Sequence, residues 1–187
     1  MKVALHACCG PCLIEPLDAL TERHEVVVVF ANPNIQPAEE YGLRRDTLRE
    51  WAERHGLDIV EAAYDPDAWE EIVEGVRDEP LLRCPRCYAL RLQQVAAEAV
   101  RLGCDALTTT LSVSPYQDAG AIDETGNRVA SEHGLVWLFE DYRPHYPEAT
   151  RRSREAGMYR QNYCGCLPSK AEAEEARALR RAQRRSR

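Results

Sequence analysis

No window of this 187-residue chain approaches eighteen consecutive apolar residues, the minimum for a helix that crosses a bilayer. The start, MKVALHACCGPC, has one Lys and a short apolar run but no extended hydrophobic region with a small-residue cleavage site. The expectation is a cytoplasmic protein with no membrane association. Low-complexity stretches and Gly/Ser linkers are also missing. One domain, 1–187, is therefore expected, long enough to bury a single core. Neither G-x-x-x-x-G-K-[ST] nor G-x-G-x-x-G occurs, so nucleotide binding has no direct support. The five histidines show no metal-ligand spacing.

Cysteine is what the chain has in excess. Eight occur, seven of them grouped as CC, CxxC, CxxC and CxC. A chain of this size needs no disulfide staples, and in a reducing compartment such a pattern favours metal or redox chemistry. Cys104 stands alone between Gly103 and an apolar run, where a small buried thiol packs well.

Short β-branched runs at Val3–Leu5 and Val26–Phe30 flank a helical pattern over Ile14–Arg23, a βαβ opening. Helices are expected at about Ala38–His55, Pro66–Val76, from Pro85 to Gly103, over Ala119–His133 and over Ser169–Arg184. Strands are expected at about Asp58–Ala62, Ala106–Thr109 and Val136–Phe139. This alternation predicts an α/β fold with a mostly parallel sheet covered on both faces. Ligands of such sheets sit beyond the carboxyl ends of the strands. There fall the CCGPC run, Asn32-Pro33-Asn34, the segment Thr110–Tyr116 and Glu140–Arg143, which predicts one site at that edge.

Cys9-Gly10-Pro11-Cys12 opens a helix, so two sulfurs lie on one face near the positive end of the helix dipole, which favours thiolate. CGPC is also the thioredoxin tetrapeptide, and a disulfide oxidoreductase is the rival reading. Against it, Cys8 takes the place of the preceding Trp, the motif follows only one short strand, and Cys8 supplies a third sulfur. Cys8, Cys9 and Cys12 could surround one cation and leave positions open, as a catalytic metal requires. Cys84-Pro85-Arg86-Cys87 and Cys164-Gly165-Cys166 together make a four-thiolate set, suited to an iron–sulfur cluster or to structural zinc. A zinc-stabilised RNA-binding module is thus a second rival.

Charge is unevenly placed. Residues 1–142 hold 12 basic and 26 acidic side chains, residues 143–187 hold 12 and 5, and no acid follows Glu175. The end of the chain, with Arg177, Arg180, Arg181, Arg184, Arg185 and Arg187, reads as a phosphate-binding face or as a frayed, solvated helix end.

Six blocks in order, LHACCGPC (5–12), FANPNIQPAEEYGLR (30–44), RCPRCYALRL (83–92), LTTTLSVSPYQ (107–117), EDYR (140–143) and YRQNYCGC (159–166), make the chain resemble epoxyqueuosine reductases of the QueH type. The resemblance spans about Met1–Ser169 and leaves the Arg-rich tail, about 169–187, outside. It implies a Rossmann-like three-layer sandwich of the adenine-nucleotide α-hydrolase (HUP) group, without ATP use. It also implies a [4Fe-4S] cluster on Cys84, Cys87, Cys164 and Cys166 and a mononuclear iron on Cys8, Cys9 and Cys12; some members carry Asp where this chain has Cys12. The implied reaction is reductive removal of the epoxide oxygen from epoxyqueuosine at position 34 of tRNA with a GUN anticodon. Electrons would come from a low-potential donor such as ferredoxin or flavodoxin. On that basis Asp141, Tyr116 and His6 are candidate proton donors or supporting groups; Asp141 could instead simply pair with Arg143. Asn32, Asn34, Tyr41, Arg44, Gln117 and Arg160 are candidate substrate contacts. Arg151, Arg152, Arg154, Arg180, Arg181, Arg184 and Arg185 are candidate contacts to tRNA phosphates.

Overall fold

The computed structural model describes residues 1–185; Ser186 and Arg187 lie outside the described residues, as does the side chain of Arg185. Five strands form one sheet: β1 (Lys2–His6), β2 (Glu25–Phe30), β3 (Ile59–Glu61), β4 (Ala106–Thr109) and β5 (Val136–Trp137). All neighbours pair in parallel, in the order β3-β2-β1-β4-β5. The central strand explains itself chemically. Val3, Ala4 and Leu5 are all fully buried, because a parallel strand with helices over both faces has no solvent side.

Alternating residues feed two cores. Leu5, Val28 and Phe30 pack with Leu13 and Leu17 of α1 (Gly10–Thr21) and with Leu48 and Trp51 of α2 (Ala38–Arg54). Ala4, Val29 and Leu107 pack on the other face. There they meet Leu92, Val95 and Ala99 of the helix Pro80–Arg101 and Val129 of the helix Ala119–Glu132. The remaining helices are α3 (Pro66–Val73), then α4 (Pro80–Arg101), α5 (Ala119–Glu132), α6 (Tyr146–Glu155) and α7 (Leu167–Arg185). The result is the expected α/β three-layer sandwich. No helix among the described residues is long and apolar enough to cross a membrane.

From β1 the chain runs outward to β2 and β3, then returns through α4 to place β4 on the other side of β1. The direction reverses between β1 and β4. At such a switch point the two strand-end loops diverge and leave a crevice. The loop after β1 carries Cys8 and Cys9; the loop after β4 begins with a 3-10 turn, Thr110–Val113.

Three expectations need correction. α4 begins at Pro80, one turn before Pro85, so Pro85 lies inside the helix. Pro85 forfeits a single N–H there, and Arg83 secures the added turn: its Nη1 donates to the Arg77 carbonyl at 2.7 Å and its Nη2 to the Glu172 carboxylate at 2.9 Å. α6 has no counterpart in the sequence reading. Its sequence is polar all round, and only the small Ala149 and Ser153 are buried, as it lies against α1. Finally β5 ends at Trp137, two residues early.

A candidate metal centre at the strand ends

Cys9 is the residue that caps α1, with extended backbone and no side-chain bond to the helix. Its sulfur is therefore free to turn toward Cys8 and Cys12. The three Sγ atoms all lie within 4.8 Å of one another, Cys8 and Cys9 at 3.7 Å. Two neighbours fix them. Thr110 accepts from the Cys8 N–H at 3.0 Å and donates its hydroxyl to Cys8 Sγ at 3.2 Å, so the β4 loop clamps the β1 loop. Gln161 Nε2 donates to Cys9 Sγ at 2.8 Å.

Such a trio cannot ionise independently. Hydrogen bonds from Cys12 and Cys9 hold the Cys8 thiol well below its ordinary range, outweighing burial, with help from nearby Arg91. Cys12, bonded to Cys8 and to Cys9 and buried, is pushed well above that range. Cys9 rises to about 12: the bond with Cys12 lowers it, but the bond with Cys8, burial and the charge of Cys8 outweigh that. Ionising one sulfur is thus favoured, and ionising the other two is opposed. Full ionisation needs a cation among them, which is the chemistry of a thiolate metal site.

The other four cysteines gather beside it. Cys84 and Cys87 project from one face of α4, and Cys87 packs with Cys166 against Trp69 and Val73 of α3. Cys84 and Cys8 both pack against the cluster of Tyr88, Leu111 and Ile122, so the two sets are contiguous. Burial and the charge of Cys164 push Cys84 up to about 11; burial pushes Cys87 up to about 12 against the pull of Arg91. Between Cys164 and Cys166, Gly165 has φ +152°, and a Cβ there would collide with the Asn34 side chain. Glycine is required at that close approach.

Some expected site residues are spent on building the site. Gln117 accepts from Tyr88 Oη at 2.8 Å and donates to Cys164 Sγ at 3.2 Å. Arg44, expected at the substrate, is buried; it donates to Glu40 at 2.8 Å, to the Cys164 carbonyl at 2.8 Å and to the Tyr163 carbonyl at 3.1 Å. It anchors the cysteine loop to α2. Asn32 donates to the Ala7 carbonyl at 3.0 Å and accepts from Arg91 Nη2 at 2.5 Å. Tyr41 belongs to the core, stacked on Tyr64 with ring centroids 3.8 Å apart. Asn34 differs from these. It is fully buried beside Gly165, and neither its Nδ2 nor its Oδ1 has a partner among the described residues. Gln161 Oε1 is likewise buried and unpartnered.

The acid–base candidates fare unevenly. Asp141 receives the N–H, Nε and Nη2 of Arg143, at 3.1, 2.8 and 2.5 Å, which holds its carboxyl below the usual range. An ionised carboxylate has no proton to give, so the simple pairing describes it better. His6 is fully buried: its Nε2–H donates to the Ala31 carbonyl at 3.1 Å, and Nδ1 accepts from Thr109 Oγ1 at 2.8 Å. Burial, with the charge of Arg91, lowers it to about 3, so it stays neutral and ties the strand ends together. Tyr116 is 79 % exposed, its ring edge-on to Tyr146.

The arginines divide in the same way. Arg151 pairs with Glu148 and Glu155, and Arg152 with Glu15 and Asp18. Arg154, Arg160, Arg180, Arg181 and Arg184 are exposed and have no carboxylate partner among the described residues. Arg160 lines a small cleft with Pro11, Cys12, Thr150, Ser153 and Gln161. A larger cleft, between Arg86 on α4 and Arg128 on α5, reaches none of the cysteines. Three residues of the site escaped the sequence reading, Gln161, Tyr88 and Arg91, while Thr110 fell in the segment expected there without a role of its own. Arg91 alone had a readable signal, since it follows Cys84 and Cys87 by seven and four residues on one helix face.

The family model described as epoxyqueuosine reductase QueH matches residues 3–172, a span that holds every cysteine of both sets. The chain belongs to the QueH family. Among curated QueH proteins it is 34% identical to that of Thermotoga maritima over 183 residues, covering 94% of each chain. It is 32% identical to that of Histophilus somni over 175 residues (90% of this chain, 72% of the relative) and 32% identical to that of Staphylococcus epidermidis over 179 (89% and 75%). These relatives are named as epoxyqueuosine reductases, which are oxidoreductases. Membership in QueH disfavours both the thioredoxin-like and the zinc-module readings. Among solved structures, the chain is similar to the U34-tRNA thiolase NcsA from Methanococcus maripaludis with its [4Fe-4S] cluster. The TM-score is 0.50 at 14% identity, over 94% of this chain and 64% of that one, a likeness of fold.

Proposed function

We propose that this chain reduces the epoxide of epoxyqueuosine at position 34 of tRNA with a GUN anticodon, yielding the alkene of queuosine and water with two electrons and two protons. The observation that carries the reading is the convergence of seven cysteine sulfurs, in a QueH chain, on the switch point of a parallel sheet. The electron source is a low-potential donor of the ferredoxin or flavodoxin type, in the cytoplasm. The whole of 1–187 acts as one catalytic domain, with the basic end of α7 as an RNA-gripping extension.

The two cysteine sets suit two different groups. A single tetrahedral zinc with Zn–S of about 2.3 Å would hold its sulfurs about 3.8 Å apart. Only Cys8, Cys9 and Cys12 have spacings near that, all three sulfurs within 4.8 Å. No three of Cys84, Cys87, Cys164 and Cys166 meet that limit among the described residues; as four thiolates in a QueH chain they are the set assigned to the iron–sulfur cluster. When bound, the cluster supplies electrons one at a time and an open iron supplies a Lewis acid for the departing oxygen.

The chain's own groups hold and orient. Thr110 and Gln161 fix Cys8 and Cys9, and Gln117 fixes Cys164. Asn34, with a buried donor and acceptor both unused, and Gln161 Oε1 are the groups available to the modified base or to the bound metal centre. Arg160, which lines a cleft with Cys12 and has no carboxylate partner among the described residues, suits the phosphate of a splayed nucleotide. Of the three acid–base candidates, only Tyr116 has a titrating group with no hydrogen-bond partner among the described residues, and proton delivery falls to it or to water.

Protein purified and reconstituted anaerobically is expected to be brown and to bind more iron than acid-labile sulfide, since one iron lies outside the cluster. Stoichiometric zinc without sulfide would overturn the reading. For the tail, replacing Arg180, Arg181 and Arg184 by Ala is expected to weaken tRNA binding. It should also flatten the slope of log K against log salt by about 2, at about 0.7 per lost phosphate contact on a single strand. An unchanged slope would show that these arginines touch no phosphate.

A further inference from the structure

Among the described residues, three arginines are almost wholly buried: Arg44, Arg83 and Arg91. Two have carboxylate partners, Arg44 in Glu40 and Arg83 in Glu172. Arg91 has none among the described residues. Its Nη2 donates to the neutral Oδ1 of Asn32, and its buried Nε meets no acceptor. A guanidinium keeps its proton in a protein, and a buried charge without a counter-charge is costly. The balancing charge must therefore lie close by in another form.

Its position shows where. Arg91 stands one turn beyond Cys87 and two beyond Cys84 on the same face of α4. On its other side, Asn32 links it to the carbonyl of Ala7, the residue that precedes Cys8. Arg91 thus shares a helix face with one cysteine set and is tied through Asn32 to the strand end that carries the other.

We propose that Arg91 is the internal counter-charge of the cysteine-bound iron–sulfur centre, balanced by thiolates of both sets in place of a carboxylate, and that it raises the potential at which the centre accepts an electron. This rests on the iron–sulfur reading above. An electron added to an already anionic group is opposed by that group's charge, and a fixed cation in a dry interior offsets the repulsion. Asn32 is the positioning residue that aims the guanidinium.

The test is an EPR-monitored redox titration of reconstituted Arg91→Met, Arg91→Lys and Asn32→Asp holoproteins without substrate, with iron and sulfide measured on each. In Arg91→Met, the ratio of reduced to oxidised cluster at a fixed potential is expected to fall about tenfold, a shift of about 59 mV for one electron. Asn32→Asp, which gives Arg91 a carboxylate of its own, should move the same way, and Arg91→Lys should stay near wild type. A loaded Arg91→Met or Asn32→Asp protein at the wild-type potential would overturn the proposal. Should neither of these load, retention of the cluster by Arg91→Lys supports the need for charge, and its loss there too would make Arg91 a shape element and overturn it. A wild-type protein without sulfide or EPR signal would sink the iron–sulfur reading itself, a distinguishable result.

Discussion

Cys166→Ala protein, reconstituted anaerobically, is expected to lose its acid-labile sulfide and to turn over at least about 10³-fold more slowly than wild type, equivalent to about 4 kcal/mol of barrier. Cys166 is buried against Cys87, Trp69 and Val73, a mainly apolar setting that supplies no second thiolate to replace its sulfur. Three thiolates would remain for a group that takes four. The fold itself should survive. Its loop is held independently by Arg44 on the Cys164 carbonyl, by the Gln36 N–H on the Gly165 carbonyl at 2.9 Å and by Arg83 on Glu172. The loss of one small buried atom costs about 1–2 kcal/mol. Circular dichroism and a thermal melt separate the two effects: near-native folding with no sulfide is expected, and wild-type sulfide and turnover would remove Cys166 from the centre.

Cys9→Ser should produce the complementary phenotype. Turnover is expected to fall by a similar factor of about 10³, while acid-labile sulfide stays at the wild-type level and iron drops by about one atom per chain. Serine is chosen because Cys9 caps α1 without using its side chain. A hydroxyl at that position can accept from the first turn and is worth about 1 kcal/mol to the helix, so reduced activity cannot be ascribed to unfolding. Loss of sulfide together with the iron would mean that all seven cysteines hold one inseparable group. Undiminished turnover would mean that the β1-end trio takes no part in the chemistry.

Much of this architecture was legible in the residues. The parallel sheet followed from apolar runs such as Val3–Leu5 and Val26–Phe30, whose continuous hydrophobicity makes sense only between two helical layers. The site's location followed from the rule that parallel sheets bind ligands at strand ends, and Cys8, Cys9, Cys12 and Thr110 are found there. What could not be read was how polar side chains spend their hydrogen bonds. Arg44, Asn32 and Gln117 look alike in sequence to substrate contacts, yet each is consumed in positioning a cysteine loop, a strand end or a sulfur. Tyr41 reads as a loop-proximal aromatic and is a core ring, because α2 turns it onto Phe30 and Tyr64. Helix α6 was invisible because its buried face consists of Ala149 and Ser153, too small to mark a hydrophobic period. Its arginines Arg151 and Arg152 read as phosphate contacts, and their pairing with neighbouring carboxylates was equally unreadable.

The most direct test of the central claim is nucleoside mass spectrometry of epoxyqueuosine-containing tRNA after anaerobic incubation with the reconstituted protein and a low-potential reductant. Conversion to queuosine, lighter by one oxygen, in proportion to enzyme and reductant is the predicted result. Unaltered epoxyqueuosine in the presence of protein carrying its full complement of iron and sulfide would contradict the account.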